Sequence, residues 1–201
     1  MSYDKELIAG KLRRWERFMD HYKLPAWEDI PDFGLDMEQV TALLRDYLDY
    51  MPPEMKEEQF ITAATINNYV RKKVIPEPVK KKYYRIHIVY LILICTLKQS
   101  LSIATLQTLI PLDISEEKMR EAYDAYRRRH RIISRYFCEQ VRLAAAGILD
   151  HEEQTELSTG DTRELIVSSA MIGGFCRLLA EKLLLLNGHT LETGGSIAID
   201  G

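Results

Sequence analysis

Apolar residues recur along this chain at helical spacing almost throughout, so nearly every segment reads as an α-helix. Residues 6–22 form a charged first helix. The stretch LPAWEDIPDFG is a proline-punctuated linker, with Trp27, Ile30 and Phe33 as its anchors on a core. Asp36 is placed to cap the next helix, with Gln39 three residues on as the partner of a capping box. Met37, Val40, Leu44, Tyr47 and Leu48 make that helix's apolar face, and Pro52-Pro53 stops it. Thr62 caps a following helix, AATINNYVRKK. Ala63, Ile66 and Val70 fall on one side of it and Thr65, Asn68, Arg71 and Lys72 on the other, with Asn67 at the border. Pro76 and Pro78 forbid its continuation, so VIPEPVKKKYYR is expected as a short hairpin-like excursion with three lysines at the tip.

Beyond Arg85 the segment IHIVYLILICTLKQ is apolar nearly all round, as a central helix is. Ser102 caps a shorter helix through Leu109, closed by Pro111. Ser115 opens the longest one, to about Ala146. Its stripe of Met119, Tyr123, Tyr126, His130, Ile133, Phe137, Gln140 and Ala144 alternates four and three, the spacing of a coiled-coil seam, and is expected to dimerise the chain or close its core. A polar linker leads to a last helix at residues 165–187, read as buried, and residues 188–201 read as a loose tail. The expected organisation is therefore an N-terminal helix and linker (1–28), a central domain (29–111), a C-terminal helical region for dimerisation or effector binding (112–187) and the tail (188–201). The fold class is all-α.

Composition narrows the function. The 201 residues are 46% hydrophobic and 28% charged, enough to bury a core and keep a solvated surface. Cys95, Cys138 and Cys176 are isolated from one another and form no metal-ligand spacing, so they read as inert core thiols in a reducing cytoplasm. The first residues carry charge throughout and no apolar run, unlike a secretory signal. The apolar runs at 88–97 and 165–186 are respectively too short and too interrupted by charge to span a bilayer. No phosphate loop, GxSxG or HExxH pattern is present, so the expectation is binding without turnover, with no cofactor and no metal.

Charge is the sharpest signal. The net charge is -3, yet residues 65–85, TINNYVRKKVIPEPVKKKYYR, hold seven basic residues against one acid. Residues 27–60 reverse this, with ten acids and two bases. A helix presenting asparagine and arginine can read bases in a DNA major groove, and lysines beside it can hold phosphates.

These residues carry a family resemblance. The run from Thr65 to Arg85 resembles the MerR-type winged-helix signature: Thr65, Ile66 and Tyr69 match its reading helix, Val74-Ile75-Pro76 its Leu-Ile-Pro, and Tyr84-Arg85 the close of its wing. LILICTLKQSLSIATLQTLI is similar to the helix pair that follows in that family, and the long helix beyond Pro111 stands where its dimerisation helix does. Asn67 and Asn68 replace the usual Arg and Tyr, and Lys73 replaces the usual Gly. The arrangement over residues 29–111 is more similar still to an uncharacterised bacterial family known only as a domain of unknown function, whose core is MerR-like.

What the resemblance implies is a MerR-like winged helix-turn-helix with an additional N-terminal helix and long C-terminal helices, acting as a sequence-specific transcriptional regulator. Its partners would be double-stranded DNA and a second copy of the chain, with no membrane. The candidate DNA-binding residues are Thr65, Asn67, Asn68, Arg71, Lys72, Lys80, Lys81, Lys82, Tyr84 and Arg85. Met119, Tyr123, Tyr126, His130, Ile133 and Phe137 are the candidate dimer contacts. A small-molecule effector is compatible with the apolar C-terminal helices, and no pattern identifies one. The rival reading is a protein–protein interaction module that keeps the fold without binding DNA.

Overall fold

In the computed structural model, residues 4–51 and 61–185 are described. Among them the chain is mostly helical, with no strand beyond two isolated bridges. The helices are α1 (Lys5–His21), α2 (Met37–Tyr47), α3 (Ala63–Arg71), α4 (Arg85–Leu97), α5 (Ile103–Leu109), α6 (Glu116–Ala144), α7 (Ala146–Leu149) and α8 (Thr162–Leu185). The Pro52-Pro53 stop and the C-terminal tail lie outside the described residues. Two compact units result: Arg14–Cys138, and Met1–Arg13 with Glu139–Gly201. The division falls within α1 and α6, away from the linkers at residues 28 and 111.

Local chemistry sets the helix starts of the larger unit. Asp36 precedes α2, and its N–H donates to Gln39 Oε1 at 2.8 Å. Thr62 Oγ1 accepts from Thr65 N–H at 3.0 Å at the head of α3, and Ser102 Oγ from Thr105 N–H at 3.1 Å at the head of α5. Helix α4 is the core. Every residue from His87 to Cys95 is buried, which matches a helix with no polar face. Ile66 and Tyr69 of α3 and Val40 and Leu44 of α2 pack into the same cluster. Ala63, expected on the inner side of α3, is exposed; Tyr69, a bulkier apolar ring, takes the inner place. Tyr90 and Tyr123 bury rings and satisfy their hydroxyls on carbonyls, at Pro111 (2.7 Å) and Pro25 (2.9 Å).

Of the two uses expected of the α6 seam, its first part takes the second, closing the core. Met119 and Tyr123 are buried in the unit's own core, and Tyr126 packs partly buried against it. These residues meet α4 and the Trp27 linker instead of standing open to a second copy, because α4 is apolar all round and needs cover on this side too. Ile133 and Phe137 are exposed, with Phe137 edge-on to Trp15 at 6.0 Å.

His130 sits between these halves, among the rings of Tyr22, Tyr50 and Tyr126 at 5.6–6.3 Å. Burial lowers its pKa below the ordinary 6.5. The unfolded chain therefore takes up the proton at higher pH than the folded one. Stability is fully retained above about 6.5 and declines as pH falls from there toward the folded value. Urea titrations at stepped pH are expected to show His130→Leu with a flatter dependence than the wild type across that window. Parallel slopes would exclude His130 as the source.

The second unit joins the start of α1 to α7 and α8. Ala9, Ala145, Ile148 and Leu149 are its buried cluster, with Ile8, Leu12 and Leu165 against it. The break between α6 and α7 was not anticipated. At the break the Ala144 carbonyl accepts from Thr159 N–H at 2.9 Å, and Gly147 admits this returning loop, since a Cβ there would lie 2.7 Å from Gly160 N. Helix α8 also departs from the expectation of a buried helix. Ile166, Val167, Met171, Ile172, Phe175 and Cys176 are exposed, so Cys176 is not a core thiol. Leu165 reaches this unit's small cluster. No helix among the described residues is long and apolar enough to cross a membrane.

Candidate nucleic-acid interface

Two turns build the segment between α3 and α4. At the end of α3, Lys73 has φ of 53°. Its N–H donates to Val70 O at 2.9 Å and the Val74 N–H to Tyr69 O at 2.8 Å, the paired bonds of a Schellman cap. Glycine is the usual residue at that left-handed position because it has no Cβ to crowd the carbonyl.

After Pro76 and Pro78 the chain reverses at residues 79–82. Val79 and Lys82 exchange backbone hydrogen bonds of 3.0 and 2.9 Å, and the central residues Lys80 and Lys81 have φ of 50° and 64°. Positive φ at both positions is a two-residue hairpin of type I′, whose favoured pair is Asn-Gly. Among the described residues four non-glycines have positive φ, and three of them are these lysines.

The turn is held from below. Tyr83 and Leu35 pair backbone to backbone at 2.7 and 3.0 Å. Gly34 permits that approach, since a Cβ there would meet Lys82 Cβ at 2.8 Å. His87, 2% exposed, accepts the Tyr84 N–H on Nδ1 at 3.0 Å. Its Nε2–H therefore donates to Glu77 O at 3.1 Å, which fixes the tautomer. Gln107 Nε2 donates to Lys72 O at 2.7 Å, closing the end of α3.

The ten candidate residues divide among three situations. Asn67, Arg71, Lys72, Lys80 and Lys81 are exposed along α3 and the turn. Thr65 is engaged in its cap with Thr62, and Asn68 is half-buried with Oδ1 accepting from Arg71 at 2.8 Å. Lys82, Tyr84 and Arg85 serve the fold. The Lys82 ammonium lies 2.6 Å from the Asp36 carboxylate. Arg85 donates to Ile30 O at 2.9 Å, lies 3.6 Å from Asp32 and stands over the Trp27 ring at 5.8 Å. Tyr84 is half-buried beside His87. Basic and acidic stretches thus meet at two ion pairs, Lys82 with 42% of its side chain still exposed and Arg85 with 17%.

Two residues were missed. Lys73 is exposed beside Lys72, and its signal was the departure from glycine at a helix end. His87 looked like one more residue of an apolar run; a buried histidine beside a basic turn has no sequence signature of its own. Among the described residues no three His, Cys, Asp or Glu side chains gather as metal ligands would.

A family model described as a domain of unknown function (DUF1836) matches residues 25–127. No curated protein and no solved structure matches the chain.

Proposed function

The chain belongs to the DUF1836 family, a domain of unknown function, and from the basic edge of that domain we propose that it is a sequence-specific DNA-binding transcriptional regulator with a MerR-like winged-helix core. In this reading α3 enters the major groove and the 79–82 turn acts as the wing. Asn67 and Arg71 address base edges, and Lys72, Lys73, Lys80 and Lys81 hold phosphates.

One observation carries the reading. Three lysines occupy left-handed backbone positions that glycine or asparagine would hold at lower cost. Lysine gains nothing there for the fold, since all three side chains are exposed. A charge kept at a strained position is expected where a polyanion has to be met.

The test is selection of bound genomic fragments by the wild type and by Lys80→Glu/Lys81→Glu. A discrete fragment set that the variant fails to recover supports the reading. With Lys72, Lys73, Lys80 and Lys81 engaged on phosphates, log K against log salt should fall with a slope of about -3.5. An unchanged fragment set, or a flat salt dependence, removes the wing from the mechanism.

A protein-interaction module is the second reading, favoured by the exposed Ile132, Ile133, Tyr136 and Phe137 on α6. Binding through these side chains would be insensitive to salt.

A further inference from the structure

The outer face of α3 carries a side-chain pair that decides which bases it can read. Ala64, Asn67, Asn68 and Arg71 follow a three-one-three spacing and share that face, opposite the buried Ile66 and Tyr69. Arg71 donates through a terminal guanidinium nitrogen to Asn68 Oδ1 at 2.8 Å, in an exposed position. Arginine has only donors, so the amide atom of Asn68 that meets it is the oxygen and not the nitrogen. The Nδ2 amino group is therefore the part of Asn68 that is turned to a ligand. Resting on the reading of α3 as the helix that enters the major groove, we propose that Asn68 and Arg71 act as one composite reader that selects guanine, in place of the adenine contact that a lone asparagine makes.

An asparagine recognises adenine by donating to N7 and accepting from the N6 amino group. That contact needs the oxygen, and Arg71 holds it. Turning the amide over to release it breaks a charge-assisted hydrogen bond, one of the stronger kind. Using the oxygen's other lone pair brings the N6 amino hydrogens toward the guanidinium charge, which repels them. The pair instead presents donors together: Nδ2–H of Asn68 and the further N–H groups of Arg71. Guanine shows two acceptors, N7 and O6, on its major-groove edge. Thymine shows one, and adenine and cytosine each present an amino donor. Only guanine satisfies both members of the pair.

The frame beneath the pair is set before any base arrives. Ile66 and Tyr69 are 0% and 1% exposed and fix the rotation of α3. Lys72 N–H donates to Asn68 O at 2.9 Å, and Lys72 O accepts from Gln107 at 2.7 Å, which closes the helix end that carries Arg71. A reader already held in place gives up little freedom on binding, so its contacts appear as discrimination between bases.

Selection from a randomised duplex library by the full chain tests this. The wild type should recover a motif containing a guanine that the pair specifies, preferred over adenine by roughly 10- to 100-fold. Replacing that base by 7-deazaguanine, which lacks the N7 acceptor, should weaken binding about tenfold. Arg71→Met removes the cation at an exposed site and keeps helix propensity, so folding is retained. It also frees the Asn68 oxygen, and the guanine preference at that one position should vanish or pass to adenine. Asn68→Ala removes a donor without freeing an acceptor, so the preference should weaken with no gain for adenine. A wild-type motif with adenine at the position that Asn68→Ala alters overturns the proposal and leaves DNA binding standing, as does a motif indifferent to Arg71→Met. A chain that recovers no discrete motif overturns the proposed function, and this inference with it.

Discussion

The combined variant Lys73→Gly, Lys80→Asn, Lys81→Gly is expected to melt higher than the wild type and to bind DNA far more weakly. Each lysine holds a left-handed backbone, where a Cβ crowds its own peptide. Glycine relieves this at the helix end, and Asn-Gly is the pair a type I′ turn favours. Relief is partly offset by the greater freedom of glycine in the unfolded chain, leaving about 0.5–1 kcal/mol per site. The sum of about 2 kcal/mol raises the melting temperature by roughly 4–8 °C in a chain of this size. Nothing opposes the gain locally, since the three side chains are exposed and the ion pair of Lys82 with Asp36 is untouched.

The same variant loses three of five outward cations. Its salt slope should be shallower by about 3, and its affinity at physiological salt lower by on the order of 100-fold. Calorimetry and fluorescence anisotropy on one preparation read both effects. A variant that is more stable but binds DNA as before would sink the proposed function while leaving the backbone reading intact. A variant with unchanged stability would refute the left-handed lysines themselves.

The helices were legible because their signals are local. Asp36 with Gln39, Thr62 and Ser102 mark helix starts within four residues of the groups they satisfy, and α4 announces its burial by having no polar face. The basic turn was legible for a similar reason, since two prolines bound it and its lysines are contiguous. What stayed hidden depends on distance along the chain. Lys82 meets Asp36 across 46 residues and Arg85 meets Ile30 across 55. No pattern distinguishes those two cations from their neighbours Lys80 and Lys81. The seam of α6 was a correct pattern whose partner could not be read. A heptad stripe says that a face will be covered, and here the cover for Met119 and Tyr123 is the chain's own core. Helix α8 is the converse, where hydrophobicity indicated burial and Ile166, Val167, Met171, Ile172 and Phe175 stand exposed among the described residues.

His87→Ala is expected to be the most damaging single change in the basic edge. The imidazole is buried and makes two hydrogen bonds to backbone on opposite arms of the 79–82 turn, from Tyr84 N–H and to Glu77 O. Its ring also packs edge-on against Tyr83 at 5.7 Å. Truncation removes the packing and leaves a part-buried donor and acceptor without their partner. Together these cost about 3–5 kcal/mol, or roughly 10 °C of melting temperature. The loss has a functional consequence that a generic core truncation lacks. Glu77 and Tyr84 bracket Lys80 and Lys81, so the turn loses the clamp that aims it. DNA affinity should therefore fall further than after Leu106→Ala, a buried truncation of similar cost on α5. Binding measured well below both melting temperatures makes that comparison. Equal losses would reduce His87 to a packing residue; a larger loss for His87→Ala, with amide exchange accelerated across residues 77–84, would identify it as the positioning residue of the wing.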